Sequence, residues 1–316
     1  MRKLGPWLLA GVLTPLALLV SSCSAPLATS STAARSPTTS PVSHRLSIAP
    51  PTEGLDEVPT SDLADFPKPI AQALVYLEDE HLSVPMPILA PSFLPSSSKG
   101  PSSLKGVKGG ISVVAQGSLE GYSVTFYRCR KELPVNSPQI GMGQCASLDN
   151  VVGAFGGRLE PSAAIAEKRL PQISSADATS SPTSCPDGFE ERSQSVSLRP
   201  GLEGELLSCL GGSTSNNSTK ELSLSWQMAS WHLVVVLGGE VQWQPVAESI
   251  LHVLKDQPLP TTIGSMMVDA SGASKTGYNL HTALAWAWGK DVYTVASYNS
   301  LEDAISMATS MRKVSF

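Results

Sequence analysis

The sequence is poor in the residues from which metal and redox centres are built. Five cysteines and five histidines are scattered over 316 residues. No two cysteines form a CxxC pair, and no histidine stands near Cys129, Cys145, Cys185 or Cys209. This argues against a structural zinc site, which gathers its ligands from closely spaced pairs. Positive charge is also short: 22 Lys and Arg against 27 Asp and Glu leave a net charge of −5. The electrostatic footprint of a nucleic-acid binder is therefore missing. There is no Gly-x-Ser-x-Gly elbow, no His-Glu-x-x-His and no phosphate loop, so no motif calls for a metal, nucleotide or other cofactor. Long apolar runs are confined to one, at the start.

That run carries the clearest signal. Arg2 and Lys3 precede Leu4 to Val20, an apolar stretch interrupted by Pro6 and Pro15, which is the layout of a secretory signal. It is slightly short for a spanning helix, which takes about 20 apolar residues. It ends in Val20-Ser21-Ser22-Cys23: an aliphatic residue, two small residues and a cysteine. This ending resembles the lipobox of bacterial lipoproteins. The resemblance implies removal of residues 1–22 as a signal peptide and attachment of diacylglycerol to the Cys23 sulfur, usually with acylation (palmitate, for example) of the new amino group. Each buried methylene of such chains contributes about 0.8 kcal/mol to membrane attachment, so the expected location is extracytoplasmic, with lipid on Cys23 holding the protein to the membrane.

Residues 23–62 are rich in Ser, Thr, Ala and Pro with no periodic apolar pattern. Such a segment cannot offset its ordering entropy by burial and reads as a disordered, low-complexity tether. Residues 63–316 then form the extracytoplasmic domain, where an overall apolar content of 41% supports a packed core. In an oxidising compartment the four remaining cysteines are expected to pair, with three connectivities open. Sequential pairing, Cys129 with Cys145 and Cys185 with Cys209, is the expectation. It closes loops of about 15 and about 23 residues, each worth about 3 kcal/mol in the chain-entropy model.

Ile70, Ala73, Leu74 and Leu77 recur at helical spacing, predicting an amphipathic helix over 70–82. Ile111 to Gly117 and Tyr122 to Cys129 read as a hairpin, and Val151 to Leu159 and Ser195 to Cys209 as further strands. Pro95 to Gly110 and Ser174 to Gly188 read as long surface loops. The last hundred residues show a repeated order. Leu222 to Trp226 and Trp231 to Leu237 are strands followed by a helix with Val246, Ile250, Val253 and Leu254 on one face. Ala283 to Trp288 and Val292 to Ser297 are strands followed by a helix carrying Leu301, Ile305, Met307 and Met311. A strand-turn-strand-helix unit at 222–256 and 283–312 implies an α+β fold, an antiparallel sheet with helices packed on one face.

Val84-Pro85 leading to Pro91-Ser92-Phe93-Leu94-Pro95, the tryptophan hairpin, and the ending from Trp286 to Met311 resemble poorly characterised extracytoplasmic domains of Gram-positive bacteria, found in lipoproteins and at the outer end of anti-sigma factors. The likeness covers roughly half of the mature chain. It implies a half-open antiparallel sheet similar to those of lipoprotein carriers and envelope-stress sensors, which bind rather than catalyse.

Three motifs in the order used by penicillin-binding proteins form a competing signal: Ser96-Ser97-Ser98-Lys99, Ser215-Asn216-Asn217 and Lys275-Thr276-Gly277. Acyl-serine chemistry needs the first serine at the start of a buried helix, and Gly100-Pro101 directly after Lys99 forbids one. His232 and His281 would approach each other only if the two hairpins pair; an ordinary core or surface role is the simpler one. Trp226, Trp231, Trp286 and Trp288, with Trp243, are either core, as packing between sheet and helix favours, or an outward aromatic platform for glycan or peptide. The expectation is a noncatalytic envelope lipoprotein binding an apolar or peptide-like ligand, or a partner protein, between sheet and helices. The alternatives are a penicillin-binding-like or cell-wall hydrolase and a purely structural surface lipoprotein.

Overall fold

The computed structural model describes residues 57–79, 84–95, 109–142, 145, 150–176, 185, 189–211, 219–237, 241–270, 273–274, 277–278, 280–298 and 300–315. All lie in one compact unit, Ile48–Phe316. Cys23, the signal segment and most of the tether lie outside the described residues.

In chain order the strands are β1 (Glu57–Pro59), β2 (Ile88–Pro91), β3 (Gly110–Ser118), β4 (Gly121–Cys129), β5 (Val151–Leu159), β6 (Phe189–Arg199), β7 (Leu202–Gly211), β8 (Thr219–Met228), β9 (Trp231–Leu237), β10 (Ile263–Ala270), the short β11 (Ala273–Ser274) and β12 (Gly277–Tyr278), β13 (His281–Trp288), β14 (Asp291–Ser297) and β15 (Met311–Ser315). The α-helices are α1 (Lys68–Asp79), α2 (Ala163–Ala176), α3 (Trp243–Asp256) and α4 (Leu301–Thr309). Ten strands form one sheet in the order β3-β4-β5-β14-β13-β10-β9-β8-β7-β6, while β1, β15 and β2 form a second. The fold is mostly β with a large mixed sheet and helices.

Several elements follow from local pattern. In α1 the buried residues are Ile70, Ala73, Leu74 and Leu77, the stripe that a 3.6-residue period places on one side. In α4, Ser300 caps the helix by accepting from the Asp303 backbone N–H, and Glu302 and Asp303 sit in the first turn, where negative charge suits the dipole. Within the sheet, side chains alternate faces with period two. Paired positions Trp226, Leu233, Met266, Leu284, Val295, Phe155 and Val124 therefore form one buried row, under a core shared with α1, α3 and α4. Gly264 permits a close approach: a Cβ there would stand 2.6 Å from the Trp231 ring.

Five expectations are corrected by this architecture. The sheet is mixed, because α3 carries the chain from β9 to a parallel neighbour, β10, a connection that a hairpin cannot make. The helices do not share one face. Leu284 and Trp286 turn to the main core, whereas Ala285, Ala287 and Val292 pack against Ala166 and Leu170 of α2 on the other side. α2 contains Pro171 and lacks a strong apolar stripe, and small alanines beneath it let it lie close to the strands. It also takes in Ser174, expected to start a loop. The stretch Ser195 to Cys209 divides at Pro200-Gly201, with Gly201 at φ 77°, making a hairpin of β6 and β7. Finally, folding begins before residue 63, since β1 pairs in parallel with β15.

The strand-turn-strand-helix unit does occur twice, but its two copies end differently. After α3 the chain re-enters the large sheet as β10, whereas after α4 it leaves as β15 for the second sheet. The position next to β14 is filled instead by β5.

Candidate functional site

Both disulfides pair sequentially, Cys129 with Cys145 and Cys185 with Cys209, with Cα–Cα separations of 4.9 and 5.5 Å. They sit at opposite ends of the large sheet, near two edge strands that differ sharply. At β3, the loop after Cys129 folds back on the edge. The Asn136 side chain accepts from the Ala115 N–H and donates to the Ala115 carbonyl, both at 2.8 Å. Its backbone N–H donates to the Val113 carbonyl, and the Leu133 N–H donates to the buried Ser112 hydroxyl. Asn136 has φ 55°, a left-handed conformation that asparagine tolerates better than most residues. One side chain thus imitates a neighbouring strand, and the disulfide closes the loop that holds it.

At β6, by contrast, β7 is the only strand partner among the described residues. Phe189 to Ser195 are exposed in succession. An edge of this kind offers a row of unpaired N–H and C=O groups.

Beside this edge, on the face that carries α2, lies a shallow open trough of about 480 Å³. α2 covers the middle of the sheet, against β10, β13 and β14, and leaves this flank open. Strand β6 contributes Ser193 and Ser195, β7 contributes Glu203 and Glu205, and beyond them stand Ser225, Gln227 and His232. Period two places all these side chains on one face. The Ser193 hydroxyl donates to Glu205 and the Ser195 hydroxyl to Glu203, the second at 3.2 Å. These are diagonal cross-strand pairs, and they draw both carboxylates over β6 toward the open edge. Among the described residues, no Lys or Arg lines the trough.

A second polar group lies where β10 meets β13. His281 is opposite Asp269 in the register and stacks on Tyr298 at 4.2 Å. Burial lowers the His281 pKa from its ordinary 6.5, against the opposing pull of Asp269. Thr282 and Ser297 stand opposite each other in the β13–β14 register and turn to the opposite face of the sheet. They do not stand in line with this His-Asp pair. On the core face burial also raises Tyr122, whose hydroxyl bonds the Leu89 backbone, and Tyr293, which donates to the Pro87 carbonyl. These tyrosines tie the stretch around β2 to the sheet.

The residues singled out in the sequence distribute as follows. Trp226, Trp231 and Trp286 are 3%, 2% and 1% exposed, and Trp243 and Trp288 are half-buried against the same core. The aromatic platform expected as one use of Trp226, Trp231, Trp286 and Trp288 is therefore not built; their size draws them to the sheet–helix interface. The space there is filled by side chains including Trp286, Tyr293, Leu284 and Ile305, which moves the candidate ligand site from between sheet and helices to the outer flank. His232 and His281 are not brought together. They align with Ser265 and Asp269 on either side of β10, about 13 Å apart along the strand and about 10 Å across it. Of the penicillin-binding-like set, Ser96 to Lys99, Ser215 to Asn217, Lys275 and Thr276 lie outside the described residues. Of the polar trough residues, only His232 was singled out in the sequence. The unbroken polar run from Glu190 to Ser195 and the Pro200-Gly201 turn are the signals that would have pointed to an exposed hairpin there.

Compared with known proteins, the chain matches no family model, no curated relative and no solved structure.

Proposed function

We propose that this chain is an extracytoplasmic lipoprotein, anchored to the membrane through acyl chains on Cys23, whose domain is a noncatalytic module that binds a peptide-like ligand or a partner protein. The observation that carries the binding reading is the open flank of the sheet. Strands β6 to β9 present hydroxyl, carboxamide, carboxylate and imidazole groups on one exposed face, continuous with a strand edge that has no neighbour among the described residues. Two disulfides are compatible with an oxidising location. The lipobox-like Val20-Ser21-Ser22-Cys23 supports the anchor, and the residues from 24 onward support a tether that holds the domain away from the bilayer.

Two measurements test this. Intact mass of the protein from bacterial membranes should begin at Cys23 with acyl chains added and rise by about four hydrogens on reduction, as two disulfides require. An unlipidated mass, or protein found only in the medium, overturns the anchor. Photo-crosslinking residues placed singly at Ser195, Gln227 and, as a control on α2, Lys168 should give adducts in living cells from the first two positions only. Adducts restricted to Lys168, or none at all, remove the open flank as the binding surface.

A further inference from the structure

We infer that the free edge of β6 receives an extended basic segment of a partner protein as an added strand, with Lys or Arg at alternate positions facing Glu203 and Glu205. This rests on the binding role proposed above and specifies its ligand. The backbone supplies the first argument. The fold seals its β3 edge with the Asn136 side chain and backbone N–H, whereas among the described residues β6 is paired on one side only, so main-chain groups remain for strand addition.

The side chains supply the second. Glu203 and Glu205 are exposed, and each is drawn toward the edge by a serine of β6. Ser193 and Ser195 are two residues apart, about 6.7 Å along the strand, which is also the spacing between same-face residues of any strand laid beside them. An added strand lies about 4.8 Å outside β6, within reach for a lysine or arginine lying across the serines to meet the carboxylates. On the other face of β6, Glu190 already has Arg192 beside it at 3.8 Å. The demand for positive charge is therefore confined to alternate ligand positions, those on the trough side. A second copy of this chain is a poor occupant, because edge-to-edge pairing of two β6 strands would bring two acidic troughs together.

The probe is a fluorophore-labelled octapeptide of alternating lysine and threonine, titrated by anisotropy against the full-length lipidated protein in neutral detergent micelles. Three comparison peptides accompany it: an isomer with its four lysines contiguous, and two analogues N-methylated at one or the other alternate set of amides. The alternating peptide should bind, and the contiguous isomer should bind at least tenfold more weakly. One of the two methylated analogues should lose binding, because only one set of amides faces β6. Glu203→Gln with Glu205→Gln should weaken the alternating peptide at least tenfold; both sites are exposed, and unchanged thermal unfolding would verify an intact fold. Gln194→Pro and Ser195→Pro provide a second route, since neighbouring N–H groups point to opposite sides of a strand. The one that removes an outward N–H should keep the fold and abolish binding.

No binding by the alternating peptide, equal binding by the contiguous isomer, or indifference to both methylated analogues each overturns the inference. Should crosslinks in cells still fall at Ser195 and Gln227, the broader binding role survives and only the basic-strand ligand is lost. Crosslinks elsewhere remove the broader role itself.

Discussion

At one end of the large sheet, β3 meets a loop whose Asn136 side chain and backbone N–H satisfy the outward groups of Ala115 and Val113, and a disulfide from Cys129 to Cys145 closes that loop. At the other end, β6 has no outer neighbour among the described residues, and the nearby disulfide joins Cys185 to Cys209 of β7. Both ends carry a cross-link of similar span, with sequence separations of 16 and 24. The difference therefore lies in what each cross-linked segment touches. An uncovered strand edge is an aggregation hazard unless charge or use accounts for it. Glu190, Glu191 and Arg192 on β6 supply the charge, and the adjoining trough suggests the use.

The largest expected effect comes from removing each disulfide in turn. Cys129→Ser with Cys145→Ser should cost about 3 kcal/mol and also free the loop that seals β3, so urea unfolding should shift and sedimentation velocity should reveal larger species. Cys185→Ser with Cys209→Ser should lose a comparable stability yet stay monomeric. Equal self-association of the two variants would break the distinction between the edges.

A narrower change sharpens it. Asn136→Gly keeps a residue at ease with φ 55° while deleting both bonds to Ala115. Leaving that N–H and carbonyl without their partner should cost about 1–3 kcal/mol, and hydrogen exchange at Ala115 should quicken while β6 and β7 are unaffected. Unchanged protection at Ala115 would mean that the loop position, and not the asparagine, guards the edge.

The smallest effect should fall on both halves alike, because it originates at the centre. The His281 pKa is lower in the folded protein than its ordinary 6.5. Its contribution to stability is therefore complete above 6.5 and is lost as pH falls through the folded value. Wild-type protein should lose stability between pH 7.5 and pH 5, and His281→Gln should flatten that slope, measured as the pH dependence of the unfolding midpoint. An equal slope in the variant would assign the acid sensitivity elsewhere.

Local elements were legible because they depend on short-range spacing. The α1 stripe at Ile70, Ala73, Leu74 and Leu77, the β3–β4 and β13–β14 hairpins and the repeated hairpin-helix order all follow from patterns spanning a few to two dozen residues. α2 escaped because Pro171 and a weak apolar stripe hide a helix whose packing depends on alanines more than a hundred residues away. The candidate site escaped for a related reason. Ser193, Ser195, Glu203 and Glu205 are ordinary surface residues in isolation, and they become a trough only when β6 and β7 are set at the rim of the sheet.

Composition, periodicity and cysteine spacing thus determined by themselves the helical stripes, the hairpins, the number of cysteines left to pair and the want of metal-ligand or nucleic-acid motifs. Tertiary structure alone decided which cysteines pair, that β5 sits beside β14, that β10 runs parallel to β9, that Trp226, Trp231 and Trp286 lie in the core, and that, among the described residues, β3 is sealed while β6 is not. The physical reason is that a strand's period states which residues share a face, but not which strand will lie beside it. That choice is made by contacts between segments far apart in the chain, and burial, edge and site are its consequences.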